Sequence, residues 1–297
     1  MHRATRGCTT LLALLLWAVG CGPSTACRAR EAHGPVAGSS RVHRFASDGR
    51  VLSIIATGHG ESGRDAFTYD GAGRLVRRET MWSQDAYRAP HPSRLDRDAM
   101  SSTTVVEYTY GRDGKKARAR RGDDVETYRW RDDQLVEVER TGTERYAWRL
   151  RWDGPRLLEA RHVSNGRATM TFAYTYDASG RRTREVLTAD FLAQPRTFVY
   201  AYDPAGHLVA RDLVIDGAPV VGESDRLTWD ARGRLLRLSR RDIVTSFSYD
   251  AQGRVVRVEH TGDSPRTFEY EASCTSGMSE RLLGDPLATI WSPVETL

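Results

Sequence analysis

The chain has 297 residues, 39% hydrophobic and 28% charged, which is enough length and apolar content to bury a core and excludes a disordered polymer. Lys and Arg number 44 against 39 Asp and Glu, a formal net charge of +5. The two signs are interleaved throughout, so no broad basic face for nucleic acid is expected.

Residues 1–20 read as a signal peptide. Arg3 and Arg6 give a basic start, and Leu11 to Val19 an apolar run too short to span a bilayer. Ala18-Val19-Gly20-Cys21 resembles the bacterial lipobox, with Ala18 where leucine is more usual. The resemblance implies acylation of Cys21 and a lipid anchor in a membrane. Gly22 in place of aspartate after it implies the outer membrane, with the body facing the periplasm or the cell surface. Residues 21–40 are rich in Gly, Ala, Ser and Pro without periodicity and read as a flexible tether. With Cys21 acylated, the thiols left in an oxidising compartment are Cys27 and Cys274. Two arrangements are open: a disulfide that closes the ends of the body, or two separate thiols.

The body is expected over residues 41–274. Its unit is clearest at Phe67 to Arg77, FTYDGAGRLVR. Phe67 and Tyr69 share one face of a strand. Asp70 opens a type I turn, Gly73 closes it at positive φ, and Leu75 and Val76 start the return strand. The same turn recurs at Asp177 and Gly180, Asp203 and Gly206, Asp230 and Gly233, and Asp250 and Gly253. Looser copies begin near Phe45, Tyr108, Tyr128 and Trp152, and Phe268-Glu-Tyr270 starts a last one. Turn signals of another kind, such as Asn165-Gly166 and Asp216-Gly217, fall between them. This spacing predicts an all-β antiparallel meander of about ten hairpins, with the Tyr-Asp turns along one edge and the variable turns along the other. About twenty strands cannot stay flat, so a curled sheet, incomplete barrel or short spiral is expected. Residues 80–104 read as a long insertion loop and 275–297 as a tail or cap.

The Tyr-Asp and Gly-Arg-Leu pairs resemble the YD-repeat family, also called RHS repeats. The resemblance covers roughly Phe45 to Tyr270. It implies a β scaffold, with carbohydrate, an envelope component or a protein partner as ligand. Two other readings follow from it: a component or shell fragment of an RHS-type toxin or contact-competition system, and a purely structural envelope module. Gly284-Asp285-Pro286-Leu287 resembles the Asp-Pro motif of long RHS toxins over four residues, without the core pattern around it.

No catalytic constellation stands out, so an enzyme is not expected, nor a cofactor. The eight histidines are scattered and there is no Cys-x-x-Cys, so no metal site is expected. The recurrent aspartates are turn residues. Candidate ligand contacts are Trp82 and Tyr87 in the insertion, and Lys116, Arg118 and Arg120, which alternation would put on one face of a strand. Their plainer role is a solvated, charged strand.

Overall fold

A computed structural model of the chain describes residues 25–33, 40–58, 61–84, 101–262, 265–271 and 274. Cys21, Tyr87, the Asp-Pro motif and the tail over 275–297 lie outside the described residues.

The strands are β1 (Thr25–His33), β2 (Ser40–Ala46), β3 (Val51–Gly58), β4 (Glu61–Tyr69), β5 (Leu75–Gln84), β6 (Ser101–Tyr110) and β7 (Lys116–Arg121). They continue with β8 (Asp124–Arg131), β9 (Gln134–Thr141), β10 (Tyr146–Asp153), β11 (Arg156–Ser164), β12 (Arg167–Tyr176), β13 (Arg182–Ala189) and β14 (Arg196–Tyr202). The last are β15 (Leu208–Ile215), β16 (Ala218–Trp229), β17 (Leu235–Arg240), β18 (Ile243–Tyr249), β19 (Val255–His260) and β20 (Arg266–Tyr270). Each pairs antiparallel with the next in sequence, and β1 pairs with both β2 and β20. The 20-stranded sheet is therefore a closed barrel, not a curled sheet or an incomplete barrel.

What closes it is the segment that composition marked as tether. Residues 25–33 are a strand, with Cys27 and Ala29 buried and Arg28 and Arg30 exposed. Ala29 sits opposite His43 of β2 and Tyr270 of β20. Without β1 those two strands would each present an open edge. Cys27 and Cys274 are joined by a disulfide with Cα atoms 5.2 Å apart, across a sequence separation of 247. The ends of the array are thus tied covalently.

In a wall one sheet thick, side chains can hide from solvent only on the concave side, so the buried residues mark the inside. They form two clusters. Phe45, Tyr200, Leu227, Phe247, Val258 and Phe268 belong to one. Tyr128, Val138, Leu150, Leu157, Phe172 and Tyr174 belong to the other. Fully burying one such ring or branched chain contributes about 2–3 kcal/mol, which no single hairpin could gather alone. The other side of the wall is charged. Arg129 and Arg149 both reach Glu137, at 2.9 and 3.3 Å, and Arg161 reaches Glu159 at 2.7 Å. This row differs from the outward apolar band of a barrel that spans a bilayer.

Two features shift from expectation. The insertion is shorter than 80–104, because Thr80 pairs with Thr104 and Ser83 with Ser101 as β5 and β6 extend into it. Trp82 lies on β5, but its side chain is outside the described residues. The second shift concerns alternation. Beside each Tyr-Asp-type turn the return strand carries one extra residue: Tyr69 faces Leu75 while Thr68 faces Arg77. The same bulge sets Tyr110 opposite Lys116 and Thr109 opposite Arg118. Lys116 therefore turns inward, its ammonium 4.0 Å from the Tyr128 ring centroid, and burial lowers its pKa. Arg118 and Arg120 stay exposed on the outer side, so the three cations do not share a face.

Candidate functional site: an interruption in the aromatic clamp

Each full repeat is locked to the next by one device. In the β16–β17 hairpin, Gly233 N–H donates to the Asp230 carbonyl at 3.0 Å, and Gly233 holds φ 74. The Asp230 carboxylate then accepts the Arg234 backbone N–H at 2.9 Å and Arg234 Nε–H at 2.6 Å. So pinned, the Arg234 guanidinium lies 4.6 Å over the Tyr249 ring of the following repeat. Tyr249 reaches back, its hydroxyl donating to the Leu235 carbonyl at 2.8 Å. Asp holds Arg, Arg covers the next Tyr, and that Tyr bonds back to the strand just after the Arg, which is why Tyr-Asp and Gly-Arg travel together in the sequence.

The same arrangement stands around much of one rim, and Lys115 takes the arginine's place at 5.8 Å from the Trp130 ring. Arg50 covers Tyr69, Arg74 covers Tyr110, Arg181 covers Tyr202 and Arg254 covers Tyr270, at 4.7–5.1 Å. His207, held by Asp203, stacks on Trp229 with centroids 5.1 Å apart. The Asp70, Asp177 and Asp230 carboxyls sit below the ordinary carboxylate range, first because the backbone N–H of the following arginine donates to them, and also through its guanidinium.

The device is interrupted at β8–β11. The β8–β9 turn is tightened to Asp132 and Asp133, at φ 48 and 67, and the β10–β11 turn to Gly154 and Pro155. Trp130 faces Leu135 as Tyr69 faces Leu75, so Gln134 occupies the place that Arg74 holds elsewhere. Its amide donates to the Gly154 carbonyl instead. The Trp152 ring, which an arginine in that place would cover, borders a recess of about 580 Å³. Trp130, Trp152, Tyr176, Leu150 and Leu157 form its apolar walls. Asp133 and Gln134 stand at the rim, and Arg182 lines the inner end.

The walls are pre-set. Trp130 Nε1–H donates to the Lys116 carbonyl at 2.8 Å, Trp152 Nε1–H to that of Leu135 at 2.8 Å, and the Tyr176 hydroxyl to that of Leu157 at 2.7 Å. Asp133 is held by Lys115 at 2.6 Å. Arg182 is buried 4.4 Å over the Tyr174 ring and pairs with Glu185 at 3.4 Å, whose carboxyl burial pushes up. The recess thus presents fixed aromatic faces with a few polar groups at its margin. Among the described residues no group of His, Cys, Asp and Glu is arranged to hold a metal ion.

Of the residues singled out from sequence, Asp70, Asp177, Asp203, Asp230 and Asp250 all sit in these turns. Arg118 and Arg120 lie away from the recess, on the outer side of β7. The recess residues were visible only as repeat aromatics. The available signal was negative: after Trp130 the Asp-x-x-Gly-Arg spacing fails and a glutamine follows where the arginine belongs.

The fold and site together define a closed antiparallel barrel of Tyr-Asp hairpins. Residues 229–267, one clamp and its neighbour, match the RHS repeat family. No curated protein matches the chain. Among solved structures, the crystal structure titled TcdB2-TccC3-TEV is similar at 15% identity and a TM-score of 0.40, over 74% of this chain and 13% of that one. TcdB2-TccC3 is similar at 13% identity and a TM-score of 0.38, over 77% and 17%. A porin-like protein from Bacteroides uniformis is similar at 9% identity and a TM-score of 0.43, over 83% and 98%. The chain thus spans a small part of the length of the first two.

Proposed function

We propose that the whole barrel is an array of RHS repeats and that it serves as a non-catalytic scaffold of the bacterial envelope, lipid-anchored through Cys21, binding carbohydrate in the recess beside Trp152. The observation that carries the binding reading is the break in the clamp. Around most of the rim an arginine, a histidine or, at Trp130, a lysine lies over the next aromatic ring. At Gln134 that cover is withdrawn, and pre-oriented tryptophan faces line a recess large enough for one or two sugar units. Stacking on an aromatic face contributes without needing a charge on the ligand.

The test is a glycan array with the purified body, followed by Gln134→Arg. That change brings a guanidinium beside Trp152 and narrows the recess, without the turn aspartate that pins the arginine elsewhere, since Arg131 stands where Asp70 does. The expected result is a loss of glycan binding of about tenfold or more, in a protein that stays folded with its melting temperature nearly unchanged. Unchanged binding in a folded Gln134→Arg protein overturns the proposal. Exported localisation and acylation are tested separately, by metabolic labelling with a fatty-acid analogue and its loss on Cys21→Ser. Closure of the wall around an interior favours a second reading, a container component of a toxin or contact-competition system. Recovery of a protein partner, with no glycan bound, would select it.

A further inference from the structure

The disulfide sits where a peptide bond would complete one more repeat. In the β4–β5 hairpin, Asp70 N–H donates to the Arg74 carbonyl and Gly73 N–H to the Asp70 carbonyl, both at 2.9 Å. At the seam, Glu271 N–H donates to the Arg28 carbonyl and Cys274 N–H to the Glu271 carbonyl, both at 3.0 Å. Arg74 N–H donates to the Asp70 carboxylate at 2.9 Å, and Arg28 N–H to the Glu271 carboxylate at 3.0 Å. Tyr69 faces Leu75, the residue after Arg74, and Tyr270 faces Ala29, the residue after Arg28. Glu271, Cys274 and Arg28 therefore take the places of Asp70, Gly73 and Arg74, although Arg28 precedes Cys274 by almost the whole chain. The preceding clamp fits as well: Arg254 covers Tyr270 at 5.0 Å and donates to the Cys274 carbonyl at 3.3 Å.

From this we infer that the tenth Tyr-Asp turn is assembled from both ends of the chain, with the Cys27–Cys274 disulfide substituting for the Gly-Arg peptide link. β1 is the return strand of that last hairpin, placed first in sequence. The barrel is then a ring of ten like units with one sulfur-bridged joint. Forming the joint removes two electrons and two protons from the Cys27 and Cys274 thiols; a disulfide-bearing oxidant takes them up and leaves as two thiols. Both cysteines are buried, at 0% and 6% exposure, so the joint is a permanent closure rather than a readily reduced one.

The test is amide hydrogen exchange on the full chain. In the oxidised protein, the amides of Glu271 and Arg28 are expected to be protected to the same degree as those of Asp70 and Arg74. In full-length Cys27→Ser/Cys274→Ser, exchange at Glu271 and Arg28 is expected to speed by about tenfold or more, with Asp177 and Arg181 nearly unchanged. Seam amides as protected without the disulfide as with it overturn the inference. A second chain keeps the question open should that variant unfold. It carries Cys274→Gly joined directly to Arg28, and is reopened between Asp216 and Gly217. It is expected to fold without any bridge and to protect the same two amides. A reopened chain that folds elsewhere but leaves both amides unprotected also overturns the inference.

Discussion

Replacing Asp225 by alanine tests how the inner wall keeps its register. Asp225 is 1% exposed and stands directly opposite Arg211 on β15 and Arg240 on β17. Its carboxylate meets Arg211 Nε at 2.8 Å and Arg240 Nε at 2.6 Å, so one anion ties three strands. Removing one partner of a buried ion pair costs about 3–5 kcal/mol, because the charge left behind keeps its desolvation penalty. The Arg240 side chain is 35% exposed and that of Arg211 14%, so water can partly compensate. That points to the lower end, about 3 kcal/mol, or roughly 6–12 °C in melting temperature for a body of this size. Asp225→Asn keeps the shape and one acceptor, and is expected to lose about half as much. Thermal and urea unfolding followed by circular dichroism measure both. A loss below about 1 kcal/mol, or Asp225→Ala melting no lower than Asp225→Asn, would refute the assignment of this carboxylate as a three-strand tie.

Other perturbations address the clamp and the seam. Tyr249→Phe removes the 2.8 Å bond to the Leu235 carbonyl while keeping the ring under Arg234, and is expected to cost about 1 kcal/mol in urea unfolding. A double-mutant cycle of Arg234→Met and Tyr249→Leu is expected to show coupling of about 0.5–1 kcal/mol; additive effects would mean the stack contributes nothing. Because the Asp70, Asp177 and Asp230 carboxyls are lowered in the folded state, their contribution is complete above the unfolded pKa near 4 and fades as pH falls through the folded values. Protection of the Tyr-Asp turns measured by hydrogen exchange is therefore expected to drop below about pH 4 and to be flat from pH 5 to 7. Reduction of a bridge spanning 247 residues is expected to lower stability by up to about 5 kcal/mol on chain-entropy grounds, read as the difference in urea midpoint between oxidised and reduced protein.

The meander was legible because its grammar is local. Phe67, Tyr69, Asp70 and Gly73 specify strand, turn and strand within eight residues, and repetition supplies the neighbours each hairpin leans on. Closure was not legible, since it depends on a segment with three alanines and with glycine- and proline-bearing flanks that look like linker. Only the register of Ala29 between His43 and Tyr270 reveals residues 25–33 as a strand. Alternation misplaced Lys116 for a related reason: a bulge is one extra residue in a ladder, and the sequence of one strand does not display the partner it is counted against. Nor could the recess be read directly. Its tryptophans are ordinary members of the repeat, and what distinguishes Trp152 is a cover missing one repeat earlier in the chain, at Gln134, whereas Trp130 lies under Lys115. The second role of the recurrent aspartate, aiming an arginine at the next ring, needs a contact between repeats that spacing within one repeat does not show.

The joint at Cys27 and Cys274 also gives the ring a top and a bottom. Whatever is attached upstream of Thr25 or downstream of Cys274 departs from the Tyr-Asp rim. Only three residues separate Cys21 from β1, so an acyl group there would hold that rim within about 15 Å of the lipid. The opposite rim, where Phe191, Val221 and Ile243 are 72%, 98% and 55% exposed, would then point away from the bilayer. Quenching by lipid-borne spin labels, strong for a fluorophore near Gly73 and weak for one at Phe191, would show the molecule standing this way up.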